Sequence, residues 1–245
     1  VTKFIVGFHA IEAFLTRGIP GMVLFLNRKN NRTLSLEKLA LSCRVEVRWI
    51  QGPFPFSFPG VEDSRGAVLR MPPSIKSEVS LEQLVENSGD NSCLLMLDGI
   101  TDVHNLGAIV RSADLFAVDG VIVPKRGSAK DSKVVAQISA GASAYVPILE
   151  TPNLVREISF LKNAGYWIYG ADMGGTSVTQ MNLSGRIVLV LGSEGKGLSR
   201  LVRESCDALV RIPMRGHVGS FNASVAAGIL LFEIRRQQDI SNGGE

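Results

Sequence analysis

The sequence predicts an α/β protein in two parts: a parallel sheet covered by helices, preceded by a smaller α/β module. Three observations carry this reading. From residue 93 onward, short apolar stretches alternate with amphipathic ones of helical period. Several of the short stretches are apolar throughout, as strands buried on both faces are. Near residue 75 the pattern is broken by Met71-Pro72-Pro73-Ser74-Ile75-Lys76-Ser77, which is short, polar and proline-bearing, the texture of a linker. The predicted domains are therefore 1–74 and 92–245, joined by a linker and short helix over 75–91.

In the first part, Gly7–Arg17 reads as a helix, with Ile11, Phe14 and Leu15 on one face. Met22–Leu26 reads as a buried strand, Leu34–Cys43 as a helix, Val45–Ile50 as a strand, Gly52–Gly60 as a Pro/Phe-rich loop and Ala67–Met71 as a returning strand. In the second part, Leu81–Glu86 is a short helix and Cys93–Asp98 an apolar strand. There follow a helix over Asn105–Phe116, a strand over Gly120–Pro124, a helix over Ser132–Ala140 and a strand over Tyr145–Leu149. A helix over Pro152–Asn163 and strands over Tyr166–Ala171 and Arg186–Leu191 come next. The pattern ends with a short helix over Leu198–Glu204, a strand over Ala208–Ile212 and a long helix over Asn222–Gln237.

Composition bounds the function. The 245 residues are 45% hydrophobic and 20% charged, with a formal charge of +3, which is ordinary for a globular chain. No uninterrupted apolar run reaches the roughly 20 residues of a membrane span, and the N-terminus does not read as a secretory signal. Cys43, Cys93 and Cys206 are too few and too scattered for a disulfide framework or a zinc site, so no metal is expected and a cytoplasmic location is. The charge is uneven: residues 1–80 carry +5 and residues 81–245 carry −2. A basic small part beside a near-neutral large one suggests a polyanion-binding module next to a second activity.

In parallel α/β sheets, ligands sit beyond the carboxyl ends of the strands. Three strand-to-helix segments are rich there. Residues 98–113 hold Asn105, read as an N-cap, with His104 beside it and Arg111 nearly two turns further on. Residues 189–198, Leu-Val-Leu-Gly-Ser-Glu-Gly-Lys-Gly-Leu, have three glycines that permit sharp turns and close backbone approach. Their spacing is neither a P-loop nor a dinucleotide fingerprint. Glu194 there can accept from a ligand amine, hold a partner arginine or simply favour a helix start. Residues 212–228 run from Ile212-Pro213-Met214 through a glycine-spaced loop to Ser220-Phe221-Asn222-Ala223-Ser224 and a helix of small residues, with polar groups suited to capping or to a ligand.

These three segments, in this order, resemble the signature motifs of the SpoU/TrmH family of RNA ribose 2′-O-methyltransferases, within the SPOUT superfamily. The resemblance extends over roughly residues 92–237. It implies a C-terminal trefoil knot, S-adenosylmethionine as methyl donor, and a homodimer with active sites near the subunit interface. Residue by residue, it makes Arg111 the catalytic arginine, with Asn105, Glu194, Ser220 and Asn222 as polar partners. The cofactor would lie against Leu191, Gly192, Gly197, Ile212, Met214 and Phe221, where Phe221 departs from the family's usual leucine. A guanidinium with a pKa above about 12 suits stabilising a developing alkoxide or an adjacent phosphate better than removing a proton.

Gly7-Phe8-His9-Ala10-Ile11-Glu12-Ala13 resembles the start of the L30e-like RNA-binding domain fused to many family members. That implies an RNA partner, with Arg17, Arg28, Lys29 and Arg32 as candidate phosphate contacts. Members of this layout commonly modify a guanosine of 23S ribosomal RNA. A transfer-RNA guanosine, or a non-catalytic role in RNA binding or ribosome assembly, are the alternatives.

Overall fold

The computed structural model describes residues 3–56, 64–72, 80–125, 145–217 and 219–241. They form two compact units, one of residues 3–72 together with Tyr145 and one of residues 80–125 and 146–241.

The first unit holds β1 (Lys3–Val6), α1 (Phe8–Arg17), β2 (Val23–Leu26), α2 (Asn31–Ser42), β3 (Glu46–Trp49) and β4 (Ala67–Met71). Its sheet has the order β1-β4-β2-β3, with β4 antiparallel to both neighbours and β2 parallel to β3. Alternation of side chains along each strand divides the core in two. Ile5, Leu24, Leu26, Leu69 and Met71 pack with Ile11, Phe14 and Leu15 of α1 and Leu36 and Ala40 of α2. Val6, Val23, Phe25 and Val68 instead meet Phe4, Phe54 and Phe56. The Pro/Phe-rich stretch thus covers the second sheet face, with Phe54 and Phe56 stacked at 5.5 Å.

Two differences from the sequence reading have local causes. β1 was not foreseen, because four consecutive residues with no alternation carry no strand signal. The second helix begins at Asn31 rather than Leu34, since Asn30 accepts from the Thr33 amide while the Thr33 hydroxyl accepts from the Asn30 amide, a reciprocal cap.

The second unit contains a fully parallel six-stranded sheet of order β10-β8-β9-β5-β6-β7. Its strands are β5 (Cys93–Asp98), β6 (Gly120–Pro124), β7 (Ile148–Thr151), β8 (Trp167–Ser177), β9 (Ile187–Gly192) and β10 (Ala208–Arg211). The described helices are α3 (Leu81–Glu86), α4 (Val103–Leu115), α5 (Leu154–Asn163), α6 (Arg200–Ser205) and α7 (Ala223–Ser241). β5 and β9 are central and apolar on both faces, as expected. Leu94, Met96, Val188 and Val190 pack with Leu84 of α3, Leu154, Ile158 and Leu161 of α5, and Val202 of α6. The alternate residues Leu95, Leu189 and Leu191 are also buried, on the side where α4 and α7 pack together. Arg235 of α7 fastens that pair by donating to the carbonyls of Phe116 and Ala117, at the end of α4, and of Asn91.

Here too the boundaries shift. β7 starts at Ile148 instead of Tyr145. β8 continues to Ser177, six residues past the expected end, because it goes on pairing with β10 through a register shift at Leu209/Val210. The expected helix at 132–140 and parts of the linker (73–77) and of the Pro/Phe-rich loop (57–60) lie outside the described residues. No described helix is long and apolar enough to cross a membrane.

Leu94 is fully buried at the centre of this sheet. Leu94→Ala should therefore lower unfolding stability by about 2–5 kcal/mol, read as a lower urea midpoint at unchanged slope.

Candidate active site

The three motif segments converge at the carboxyl ends of β5, β9 and β10. β5 ends at Asp98, whose Oδ2 accepts from the Ser199 amide at 2.6 Å and so ties the first segment to the start of α6. The cap of α4 is Asp102, not Asn105: its Oδ1 accepts from the His104 amide at 2.9 Å. Two acceptor-bearing residues stood three apart, and the earlier one took the cap. Asn105 is therefore inside the first turn and buried, 8% exposed, with its side chain free for a tertiary role.

That role is to meet the other two segments. The Asn105 Nδ2 donates to Glu194 Oε1 at 3.0 Å, and the Asn222 Nδ2 donates to Glu194 Oε1 at 2.5 Å and to Asn105 Oδ1 at 2.9 Å. The Ala223 amide points at the same Glu194 oxygen at 3.4 Å. Asn222 also caps α7, its Oδ1 accepting from the Ser224 amide at 2.9 Å and the Ser224 hydroxyl at 2.6 Å. Glu194 thus sits at a helix start, where a negative charge is favoured, but the helix is α7 rather than the one that follows it in sequence.

The glycines of the second segment have separate duties. A Cβ on Gly192 would lie 2.2 Å from the Gly197 carbonyl carbon, so no side chain fits. Gly195 and Gly197 have φ of 79° and 65°, in the left-handed region. They allow residues 193–197 to fold back, with Ser193 and Gly197 exchanging two backbone hydrogen bonds of 3.1 and 2.9 Å.

Beside this network lies a cleft of about 490 Å³, within the usual range for a small-molecule site. Leu191, Val210, Ile212, Phe221 and Leu230 supply apolar wall, while Gly192, Glu194, Gly197 and Ser220 bring polar or backbone groups. Of the residues expected at a cofactor, Met214 is not among those lining it. Arg111 is absent from the lining too. It lies on the exposed side of α4 and has no hydrogen-bond or ion-pair partner among the described residues.

Asp172, Met173, Lys196 and Arg211 line the cleft and were not singled out from sequence. The strand-end rule that found the three segments also applied to Asp172, which directly follows the strand expected at 166–171. Its carboxyl group is held below the usual carboxylate range by the Nε donation of Arg203, at 3.0 Å, with the Gly174 amide adding at 2.8 Å. Burial pushes the Cys206 thiol up to about 11 and that of Cys93 to about 12, which leaves neither as a thiolate nucleophile at neutral pH. No group of three or more His, Cys, Asp or Glu suited to a metal occurs among the described residues.

In the first unit, Arg28 and Lys29 lie between β2 and α2, and Arg32 lies in the first turn of α2. Lys29 stands over the Trp49 ring at 5.8 Å, Arg32 over Phe8 at 5.9 Å, and the Arg28 stem against Gly66. Phe8, Asn30, Asn31, Arg32 and Arg65 line an open cleft there of about 530 Å³. Arg17 closes α1 nine residues beyond Phe8, roughly 14 Å along the helix, so it is not part of this cluster.

Comparison with known proteins assigns the chain to a class. The SpoU rRNA Methylase family matches residues 92–232, and the chain belongs to that family. It is 39% identical over 246 residues to the 23S rRNA (guanosine-2′-O-)-methyltransferase RlmB of Pseudomonas aeruginosa, covering 95% of each chain. It is likewise 39% identical to the protein of that name from Neisseria meningitidis serogroup B, covering 97% of this chain and 96% of the relative. Among solved structures it resembles the SpoU methyltransferase AviRb from Streptomyces viridochromogenes in complex with AdoMet. The TM-score is 0.79 and the identity 25%, over 98% of this chain and 91% of that one.

Asn222→Asp should keep the α7 cap but set two carboxylates 2.5 Å apart in place of a hydrogen bond. The variant should be destabilised at pH 7 and regain stability as pH falls and the pair takes up a shared proton, a trend visible in thermal melts from pH 7 to pH 5 and absent from the parent.

Proposed function

We propose that this protein transfers a methyl group from S-adenosylmethionine to a ribose 2′-hydroxyl, on a guanosine of 23S ribosomal RNA, and that it works as a homodimer. The observation that carries the reading is the joining of all three motif segments by the Asn105–Glu194–Asn222 hydrogen bonds at the edge of one cleft. The full-length similarity to proteins named for the guanosine reaction supports the substrate.

The cleft suits the cofactor by size and wall chemistry. Leu191, Val210, Ile212 and Leu230 can flank an adenine, and the side-chain-free Gly192 leaves backbone within reach of a ligand. When bound, S-adenosylmethionine supplies a sulfonium-activated methyl group: the S–C bond breaks as the O–C bond forms and the hydroxyl proton departs. The protein's share is to hold the ribose oxygen in line and stabilise its developing charge. Ser220, on the cleft wall, and the Asn105–Glu194–Asn222 cluster position the ribose. Arg111 stabilises the alkoxide or a neighbouring phosphate with its planar fork of donors.

Arg111 stands outside its own cleft, and the surface around it supports a dimer. Leu115, one turn on, is 74% exposed, and Phe232 of α7, whose ring meets Phe116, is 57% exposed. A second copy seated on this α4/α7 face would cover both and bring each Arg111 to the other subunit's cleft. We also read the chain path as the trefoil knot of the family. The return of α7 from the edge strand β10 to pack on α4 and β9 supports it. The first unit is read as the RNA-binding domain, with Arg28, Lys29, Arg32 and the additional Arg65 as its phosphate-binding end.

Mapping 2′-O-methyl groups in cellular RNA with and without the protein tests the reaction, the RNA and the nucleotide together; loss of one 23S guanosine methylation is expected. Arg111→Lys keeps the charge but not the fork and should lose most activity, at least tenfold in single-turnover rate, at unchanged RNA affinity. Mixing Arg111→Ala with Glu194→Ala protein should restore about a quarter of parental activity, since random exchange yields half mixed dimers with one intact site each.

A further inference from the structure

The charges around the cleft are not balanced by internal partners. In the second unit, Arg156, Lys162, Arg200, Arg203 and Arg236 each bond a carboxylate. Arg186 and Arg235 are occupied by main-chain carbonyls. Lys196, Arg211 and Arg215 differ: all three are exposed and have no ion-pair or hydrogen-bond partner among the described residues. Lys196 and Arg211 lie on the cleft wall, and Arg215 is four residues past Arg211, in the segment that leads from β10 to α7.

The acids at the same end show the opposite pattern. Asp98 accepts from the Ser199 amide, Asp102 from the His104 amide, Asp172 from Arg203, and Glu194 from Asn105 and Asn222. Their negative charge is engaged by donors of the protein itself, while the positive charge faces outward. A unit whose sequence carries a formal −2 over residues 81–245 therefore presents a positive rim at the cleft.

We propose that Lys196, Arg211 and Arg215 bind phosphates of the RNA strand flanking the target ribose. The catalytic unit thus holds its own length of RNA backbone, in addition to whatever the basic first unit contacts. This rests on the RNA-methylating reading above. Two cations on the wall of a ligand-sized cleft and a third in the segment that continues from it, with no acid to satisfy them, suit a polyanion running past a reactive centre. The competing anion is the carboxylate of the cofactor itself, which the test separates.

The test uses the full-length protein and a dye-labelled, unmodified 23S ribosomal RNA transcript, titrated over a range of salt. Each phosphate contact removed should lower the slope of log affinity against log salt by about 0.7–0.9. Lys196→Ala, Arg211→Ala and Arg215→Ala should each weaken RNA binding several-fold and reduce the slope by that amount, and the triple variant by about the sum. Arg236→Ala removes one positive charge from the far half of α7 and should leave the slope unchanged. Calorimetry with S-adenosylhomocysteine should give the parent's affinity in all of them. An unchanged slope in the triple variant overturns the proposal, as does an equal drop in Arg236→Ala. A loss of S-adenosylhomocysteine affinity with RNA binding intact assigns the residue to the cofactor and overturns it there. Failure of the parent itself to bind S-adenosylhomocysteine would instead refute the methyltransferase reading.

Discussion

One carboxylate oxygen organises the functional end of this protein. Glu194 Oε1 takes hydrogen bonds from Asn105 on α4 and Asn222 at the cap of α7, with the Ala223 amide at longer range. Asn105 and Asn222 stand 117 residues apart in the chain and are bonded directly as well. The cleft wall, the start of the terminal helix and the first motif thus share one anchor. Asn105 is the buried member, and loss of either partner would leave its side-chain amide short of a hydrogen bond in a place closed to solvent.

That anchor depends on a backbone constraint. Glu194 reaches its partners because residues 193–197 turn back on themselves, and they can do so because Gly192 has no Cβ and Gly195 and Gly197 tolerate positive φ. The loop is further held against the sheet through Asp98, which binds the Ser199 amide just beyond it. The chemistry proposed for the cleft follows from this rigidity. Donors and acceptors fixed before substrate arrives need no reorganisation as charge develops, so the same bonds that define the fold also prepare the site.

The strand pattern was legible because buried parallel strands are apolar on both faces, and Cys93–Asp98 and Ile187–Gly192 show this directly. β1 was not, being too short to show a period, and the true length of β8 was not, since its second half is polar and held by pairing with β10. In the site, Asn105 was recognised but given a local duty. Which of Asp102 and Asn105 caps α4 depends on where the chain leaves β5, and no local rule decides that. Asp172 sits just past the expected end of its strand, within reach of the strand-end rule, and only its place on the cleft wall singles it out. Arg17, grouped with Arg28, Lys29 and Arg32 by charge, separates from them because a ten-residue helix carries it to the other end of its unit.

By itself the sequence determined the alternation of strands and helices, the three loops at strand ends and the family to which they belong. These follow from short-range periodicity and from residue types that only certain backbone conformations accept. The tertiary structure decided the rest: that Glu194 serves the start of α7, that Asn105 faces the interior, that Arg111 does not line its own cleft, and that Lys196, Arg211 and Arg215 lack the acids their neighbours have. Such facts concern which distant groups meet, and hydrogen-bond and charge partners are chosen by three-dimensional packing, which the order of residues along a strand or helix does not reveal.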